Sequence, residues 1–155
     1  MTEPTSSATD EVAIRALYQQ AMDGWNRGSG EAFAAPFAED GDLVGFDGTH
    51  LKGRQEISSF HQQFFDTYVK GTRLVGKFRS VRFLTSDVAL MHVVGGTIMA
   101  GQTDIEPERN SVQTIVATKE NKGEWHLAAF QNTRAQYLGR PLEVQKLTEE
   151  LRRLL

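Results

Sequence analysis

Hydrophobic residues near the start of the chain recur every three or four positions, which is the spacing of one face of an α-helix. Asp10 precedes this run, and aspartate caps helix N-termini, so we predict that a helix begins there. Its apolar face consists of Ile14, Leu17, Tyr18, Ala21, Met22 and Trp25. The glycine-containing residues 26–30 predict the end of this helix, and residues 31–37 predict a second, short helix.

The same spacing predicts two further helices. In residues 53–70 the face that should be buried is mostly aromatic and consists of Ile57, Phe60, His61, Phe64, Phe65 and Tyr68. Residues 142–155 combine leucines with charged residues and predict an amphipathic terminal helix. The sequence leaves open whether this last helix packs on its own chain or on a neighbouring one.

From Arg73 onward the hydrophobic period changes to two, which is typical of β-strands. Long strands are predicted over residues 74–84, 88–100, 109–119 and 124–133. A smaller hairpin is predicted around the Asp47-Gly48 turn, with strands over 43–46 and 49–52. Helices followed by a run of strands indicate an α+β fold, in which a curved antiparallel sheet packs on three N-terminal helices.

These patterns divide the chain into three predicted parts. Residues 1–9 are polar and predict a flexible tail, residues 10–133 predict one folded domain, and residues 134–155 predict a tail that contains the terminal helix. No segment has the pattern of a secretory signal or a membrane span, so we expect a cytoplasmic protein without a membrane partner.

Composition and motifs exclude several classes of function. The net charge of −3 and the scattered basic residues give no surface for a nucleic acid. The absence of cysteine excludes disulfides, thiolate metal sites and a cysteine nucleophile. No phosphate-binding loop, dinucleotide fingerprint or close spacing of metal ligands is found, so we expect no cofactor and no metal.

Three short segments resemble a known superfamily. Residues 37–43 and 53–57 resemble the exit of the second helix and the start of the third in SnoaL-like proteins and ketosteroid isomerases, of the nuclear-transport-factor-2-like (NTF2-like) superfamily. Residues 123–133 resemble the last strand of its SgcJ/EcaC-type branch, which is associated with enediyne and other polyketide pathways. The resemblance implies a cone-shaped fold with an internal pocket for a small apolar molecule. It also implies a homodimer formed through the outer face of the sheet.

Ketosteroid isomerases use a carboxylate base, a tyrosine hydrogen-bond donor and a protonated acid. Aligned on that pattern, the base position falls at about Gly45 and the acid position near Ile115, and neither residue can exchange a proton. Tyr18 falls near the tyrosine position. An unmodified steroid-isomerase mechanism is therefore disfavoured, although a shift of one residue would bring Asp42 or Asp47 closer to the base position.

Candidate site residues on the helices combine apolar area with a polar group. His61 is either a core histidine with one hydrogen bond or a pocket acid or base, because imidazole titrates near neutral pH. Tyr18 and Trp25 are either packing residues or pocket walls that orient a ligand. Phe64, beside His61, would make these surroundings apolar.

Candidate site residues on the strands depend on which face points inward. The resemblance places Gln113 inward with Ser111, Ile115 and Ala117, and it places Asn132 inward with Phe130 and Ala128. His126 shares their alternation, but it lies near the start of the strand, where we expect it to be exposed at the end of the sheet. An inward Gln113 would join a fixed hydrogen-bond network or meet a ligand in a cavity. His92 lies in a strand that is apolar on both faces, so its direction stays open.

Three functions are compatible with this site. The leading one is binding of a hydrophobic, polyketide- or polyene-like molecule in secondary-metabolite biosynthesis, oriented by Tyr18, His61, Gln113 and Asn132. The second is a cofactor-free isomerase, cyclase or hydratase, with His61 moving protons and Tyr18 or Gln113 stabilising an enolate oxygen. The third is a dimeric protein-interaction module without chemistry.

Overall fold

Helices form the first layer of the molecule. The computed structural model describes residues 3–120 and 122–155, so Met1, Thr2 and Asn121, which belong to the predicted tail and to a predicted turn, lie outside the described residues. The helices of this layer are α1 (Glu3–Asn26), α2 (Gly30–Ala34) and α3 (Arg54–Asp66). The predicted face of α1 is buried, since Ile14, Tyr18, Ala21 and Met22 are at most 3% exposed.

Helix boundaries differ from the predicted ones for local reasons. α1 begins at Glu3, so Asp10 does not cap it, and the Asp10 carboxylate instead accepts a hydrogen bond of 3.0 Å from Nε1 of Trp125. α2 ends at Ala34, two residues before Pro36, which has no backbone N–H with which to continue the helix. α3 ends at Asp66, which leaves Tyr68 84% exposed rather than on the buried aromatic face.

A six-stranded sheet forms the second layer. Its strands are β1 (Phe37–Val44), β2 (His50–Lys52), β3 (Arg73–Thr85), β4 (Val88–Ile98), β5 (Ser111–Lys119) and β6 (Trp125–Arg134). They lie in the order β2-β1-β6-β5-β4-β3. The long strands match the predicted ones closely. However, β1 pairs with β6 in parallel, so the sheet is mixed rather than wholly antiparallel.

A β-bulge divides β6 into two halves with opposite inward registers. Val116 pairs with Ala129, but the next residue, Ala117, pairs with Leu127, so Ala128 is left as the extra residue. Leu127 and Phe130 both face the core as a result, and both are at most 5% exposed. The predicted inward position of Ala128 is therefore wrong, because an added residue reverses the alternation of faces, and His126, before the bulge, is partly exposed.

The terminal helix α4 (Pro141–Arg152) packs on the outer face of the chain's own sheet. Leu147 and Leu151 are at most 3% exposed and contact Val94 and Ile98 of β4. Glu150 adds ion pairs with Lys77 and Arg79 of β3. The terminal helix therefore packs on its own chain and not on a neighbouring one, a question that the sequence left open. None of the helices formed by the described residues is long and apolar enough to cross a membrane.

Candidate ligand-binding site

A cavity lies between the helices and the concave face of the sheet. Its volume is about 120 Å³, measured as space open to the centre of a water molecule, and roughly 10–15 Å³ on that measure holds one water. The cavity therefore has room for several waters or a small organic molecule. All predicted ligand-binding residues except His92 line it, namely Tyr18, Trp25, His61, Phe64, Gln113, Phe130 and Asn132.

Tyr18 lies at the sheet side of the cavity with its hydroxyl buried and without a hydrogen bond of regular geometry to any described residue. Its ring packs edge-on against Phe78, with 5.3 Å between ring centroids. Burial raises the pKa of the hydroxyl well above its usual value, and the neighbouring Gln113 amide offsets only part of that rise. Tyr18 therefore stays protonated and can donate a hydrogen bond.

Gln113 and Asn132 lie directly opposite each other on β5 and β6 and both line the cavity. The side-chain oxygens Oε1 of Gln113 and Oδ1 of Asn132 are buried and have no partner among the described residues. A buried polar atom without a partner costs about 1–3 kcal/mol of stability. Together with the Tyr18 hydroxyl, these oxygens form a polar cluster in an otherwise apolar cavity.

His61 is 5% exposed and lies among aromatic rings on the helix side of the cavity. The closest ring is that of Phe33, with centroids 4.3 Å apart. Nδ1 lies 2.8 Å from the carbonyl oxygen of Ile57 and donates to it, so Nε2 is the acceptor of the neutral ring. Burial lowers the pKa of His61 to about 4, and the bond to Ile57 opposes that shift only in part.

The aromatic candidates form walls rather than polar contacts. Nε1 of Trp25 donates to the hydroxyl of Thr72 at 3.1 Å, so its one polar group is already used. The Trp25 ring packs edge-on against Phe65 at 4.9 Å between centroids. Phe64 and Phe130 add apolar surface on the helix side and the sheet side.

His92 does not belong to this site, and its predicted role in binding is wrong. Its neighbours Met91 and Val93 face the core and are fully buried. Successive side chains of a strand point to opposite faces, so His92 lies on the outer face of the sheet. There it pairs with Ser80 and Thr114 in the strand register.

The two positions at which the isomerase pattern requires a carboxylic acid hold no acidic residue in this chain. Gly45 lines the cavity without a side chain, and Ile115 is fully buried in the core. Asp47 lies at the rim, where its Oδ1 accepts a hydrogen bond of 3.0 Å from the Thr49 amide. Asp42 lies 2.9 Å from Nε2 of the exposed His50 and does not line the cavity.

Sequence reasoning missed two arginines at the cavity mouth. Arg109 ends a short 3₁₀ turn (Pro107–Arg109), and Arg134 ends β6. The period of two could have found them, because Arg109 precedes the inward Ser111 by two residues and Arg134 follows Asn132 by two. Among the residues that the structure describes, no group of three or more His, Asp or Glu side chains is arranged to hold a metal ion.

Comparison with known proteins identifies the family. A domain of unknown function with a cystatin-like fold from Nostoc punctiforme PCC 73102 is 51% identical, over 89% of this chain and 85% of that one, with a TM-score of 0.81. The chain belongs to the family of this domain. The sequence matches no protein-family model and no curated protein.

More distant structures share the fold with this family. A second cystatin-like protein of unknown function from N. punctiforme is 23% identical over 85% of this chain and 96% of that one, with a TM-score of 0.73. The hexachlorocyclohexane dehydrochlorinase LinA-type3 from Novosphingobium barchaimii LL02 is 12% identical over 85% of this chain and 90% of that one, also with a TM-score of 0.73. The predicted α+β fold is confirmed by these cystatin-like structures and by the match to an NTF2-like protein with a cystatin-like fold.

Proposed function

We propose that the protein binds a small, mainly apolar molecule of polyketide or polyene character, which fills the cavity and is oriented by hydrogen bonds to Tyr18, Gln113 and Asn132. The observation that carries this proposal is the set of three buried polar groups without partners in one aromatic-lined cavity. A ligand with hydroxyl or carbonyl groups would satisfy them and regain the free energy that their burial costs.

His61 supports a binding role more than a catalytic one. A general acid or base works best when its pKa is close to the operating pH. With a pKa of about 4, His61 is neutral and weakly basic at pH 7. Its Nε2 is then a hydrogen-bond acceptor for a ligand hydroxyl, and the isomerase, cyclase or hydratase alternative takes second place.

The homodimer through the outer face of the sheet remains a prediction. α4 covers Val94 and Ile98 on that face, whereas Leu90 and Val116 are only partly buried. Sedimentation equilibrium of the wild type should give a dimer that Leu90→Lys weakens, whereas a wild-type monomer would contradict it. The SgcJ/EcaC branch, the place in secondary-metabolite biosynthesis and the cytoplasmic location also stay predictions.

Native mass spectrometry of freshly purified protein tests the binding role. We expect the wild type to carry the added mass of one small organic molecule per chain. Gln113→Leu should lose most of this adduct because the leucine cannot hydrogen-bond to the ligand. Gln131→Leu is the matched control, since Gln131 is exposed on the same strand as Asn132. A wild type without adduct, or an adduct equally retained by Gln113→Leu, would contradict the proposal.

A further inference from the structure

Two arginines without an acidic partner meet at the mouth of the cavity. Arg109 and Arg134 both line it. Among the described residues, neither has a carboxylate oxygen within the 4.0 Å of a salt bridge. Arg152, on the outer face, has such a partner, because its Nε lies 2.9 Å from Oδ1 of Asp104. The charges of Arg109 and Arg134 are thus left available to a ligand.

Arg134 is held in place by contacts that leave most of its donors free. The guanidinium carbon lies 3.8 Å from the centroid of the Phe46 ring, and Nη1 donates to the carbonyl oxygen of Glu108 at 3.0 Å. A guanidinium has five N–H donors in a rigid plane. One of these donors is used at Glu108, so the other N–H groups, held in a fixed orientation, remain free to bind a ligand.

The charges around the mouth favour a ligand with a single negative charge. Asp47 is the one carboxylate among the described residues that line the cavity, and it opposes the two arginines, while burial keeps His61 neutral. Arg109 and Arg134 line the same cavity, and besides burial the positive charge of Arg109 lowers the pKa of Arg134, so the two cations repel each other. A bound monoanion would relieve this repulsion.

We propose that the mouth binds a carboxylate through Arg109 and Arg134, so that the ligand is a monocarboxylic acid whose apolar body fills the aromatic part of the cavity. This inference rests on the proposed function and adds the ligand's chemical class. Arginine suits a carboxylate because both are planar and can form paired hydrogen bonds. Asn132 lies two residues before Arg134, roughly 7 Å along the strand, so one small ligand can reach both.

Calorimetric titration with octanoate and with 1-octanol tests the inference, since the two probes share an apolar chain and differ in charge. We expect the wild type to bind octanoate at least tenfold more tightly than octanol, although octanol is the more apolar probe. In the double variant Arg109→Gln/Arg134→Gln, this preference should disappear while octanol binding is retained. Retained octanol binding also shows that the variant is folded.

Arg140→Gln is the matched control, because Arg140 also lies over an aromatic ring, 5.6 Å from the Tyr137 centroid, but outside the cavity. It should keep the full preference. Arg109→Gln alone removes a charge that makes no hydrogen bond to the described residues, and it should weaken octanoate binding severalfold. Equal affinity for both probes in the wild type, or an unchanged preference in the double variant, would overturn the carboxylate site. The proposed binding of an apolar molecule in the cavity would still stand. No binding of either probe would overturn the proposed function as well.

Discussion

A Cβ atom added to Gly76 would lie 2.8 Å from Cε2 and 2.9 Å from Cζ of Tyr18. Glycine at this position of β3 therefore allows the tyrosine ring to lie directly against the strand. The ring in turn places its hydroxyl beside Gln113 on the sheet side of the cavity. The polar cluster of the site thus depends on a residue that has no side chain of its own.

Gly76→Ala should displace the Tyr18 ring and destabilise the protein. Forcing a methyl group into a filled space costs about 1–3 kcal/mol of unfolding free energy, which urea titration followed by circular dichroism measures. Gly45→Ala is the control, because a Cβ there would meet its nearest atom, Oδ1 of Asp47, at an ordinary 3.6 Å. Equal stability of the two variants would show that the ring can move aside freely.

Tyr18→Phe should leave the unfolding free energy unchanged or raise it by up to about 2 kcal/mol, since the lost hydroxyl is buried without a regular hydrogen bond. The same variant should weaken binding of any ligand that the hydroxyl contacts. Urea titration and calorimetric titration measure the two effects separately. A loss of stability comparable with that of Gly76→Ala would mean that the hydroxyl is already satisfied in the unliganded protein.

Stability should fall on mild acidification because of His61. Burial lowers its pKa in the folded chain to about 4 from an ordinary value of 6.5. Between these pH values the unfolded state binds more protons, so the free energy of unfolding decreases as the pH drops from 6.5 to 4. The decrease attributable to His61 is at most about 3 kcal/mol.

Thermal unfolding followed across this pH range checks the effect. His61→Phe should flatten the dependence, whereas His50→Gln, at a solvent-exposed position, should retain it. Titration of the Glu150 carboxylate affects stability at a lower pH than titration of His61. The pKa of Glu150 is lowered to about 2 from 4.5, chiefly by the hydrogen bond from Arg79, so its contribution is lost only as the pH falls through that lower range. An equally steep dependence in His61→Phe would remove His61 as its cause.

Apolar packing, more than ion pairing, should hold α4 on the sheet. Leu151 is fully buried, and Leu151→Ala should cost about 2–5 kcal/mol. Glu150→Gln should cost about 1 kcal/mol or less, because Lys77 and Arg79 are half-exposed at 49% and 43% and water screens the pairs. Urea titration compares the two variants, and the reverse order of effects would contradict this picture.

The α+β class and the long helices and strands could be predicted from the hydrophobic period, because most long elements bury one regular face, whereas the cone-shaped fold was implied by the resemblance and the parallel pairing of β1 with β6 was not predicted. The inward positions of Gln113 and Asn132 follow the same period and are confirmed by burial of Gln113 and by the cavity lining. Their lack of partners could not be predicted, since it depends on distances between separate elements. The binding role assigned to these residues stays a prediction.

The errors arise where regular alternation fails or gives no information. The bulge at Ala128 adds one residue to β6 and reverses the faces before it, and no sequence signal marked it. His92 lies in a strand covered on both faces, so apolar neighbours on either side could not reveal its direction. Arg109 and Arg134 are a different case, because they obey the alternation, but only the fold shows that their two segments end at the same cavity.

Titration of the protein with the fluorescent probe 1-aminoanthracene decides whether the cavity is a binding site. The wild type should give a saturable increase in fluorescence with one site per chain. Gly45→Phe should abolish it, because position 45 lines the cavity and a Cβ there meets its nearest atoms only at an ordinary 3.6–3.9 Å, so that the added ring can occupy ligand space. Fluorescence that does not saturate in the wild type, or that is unchanged in Gly45→Phe, would contradict binding in this cavity.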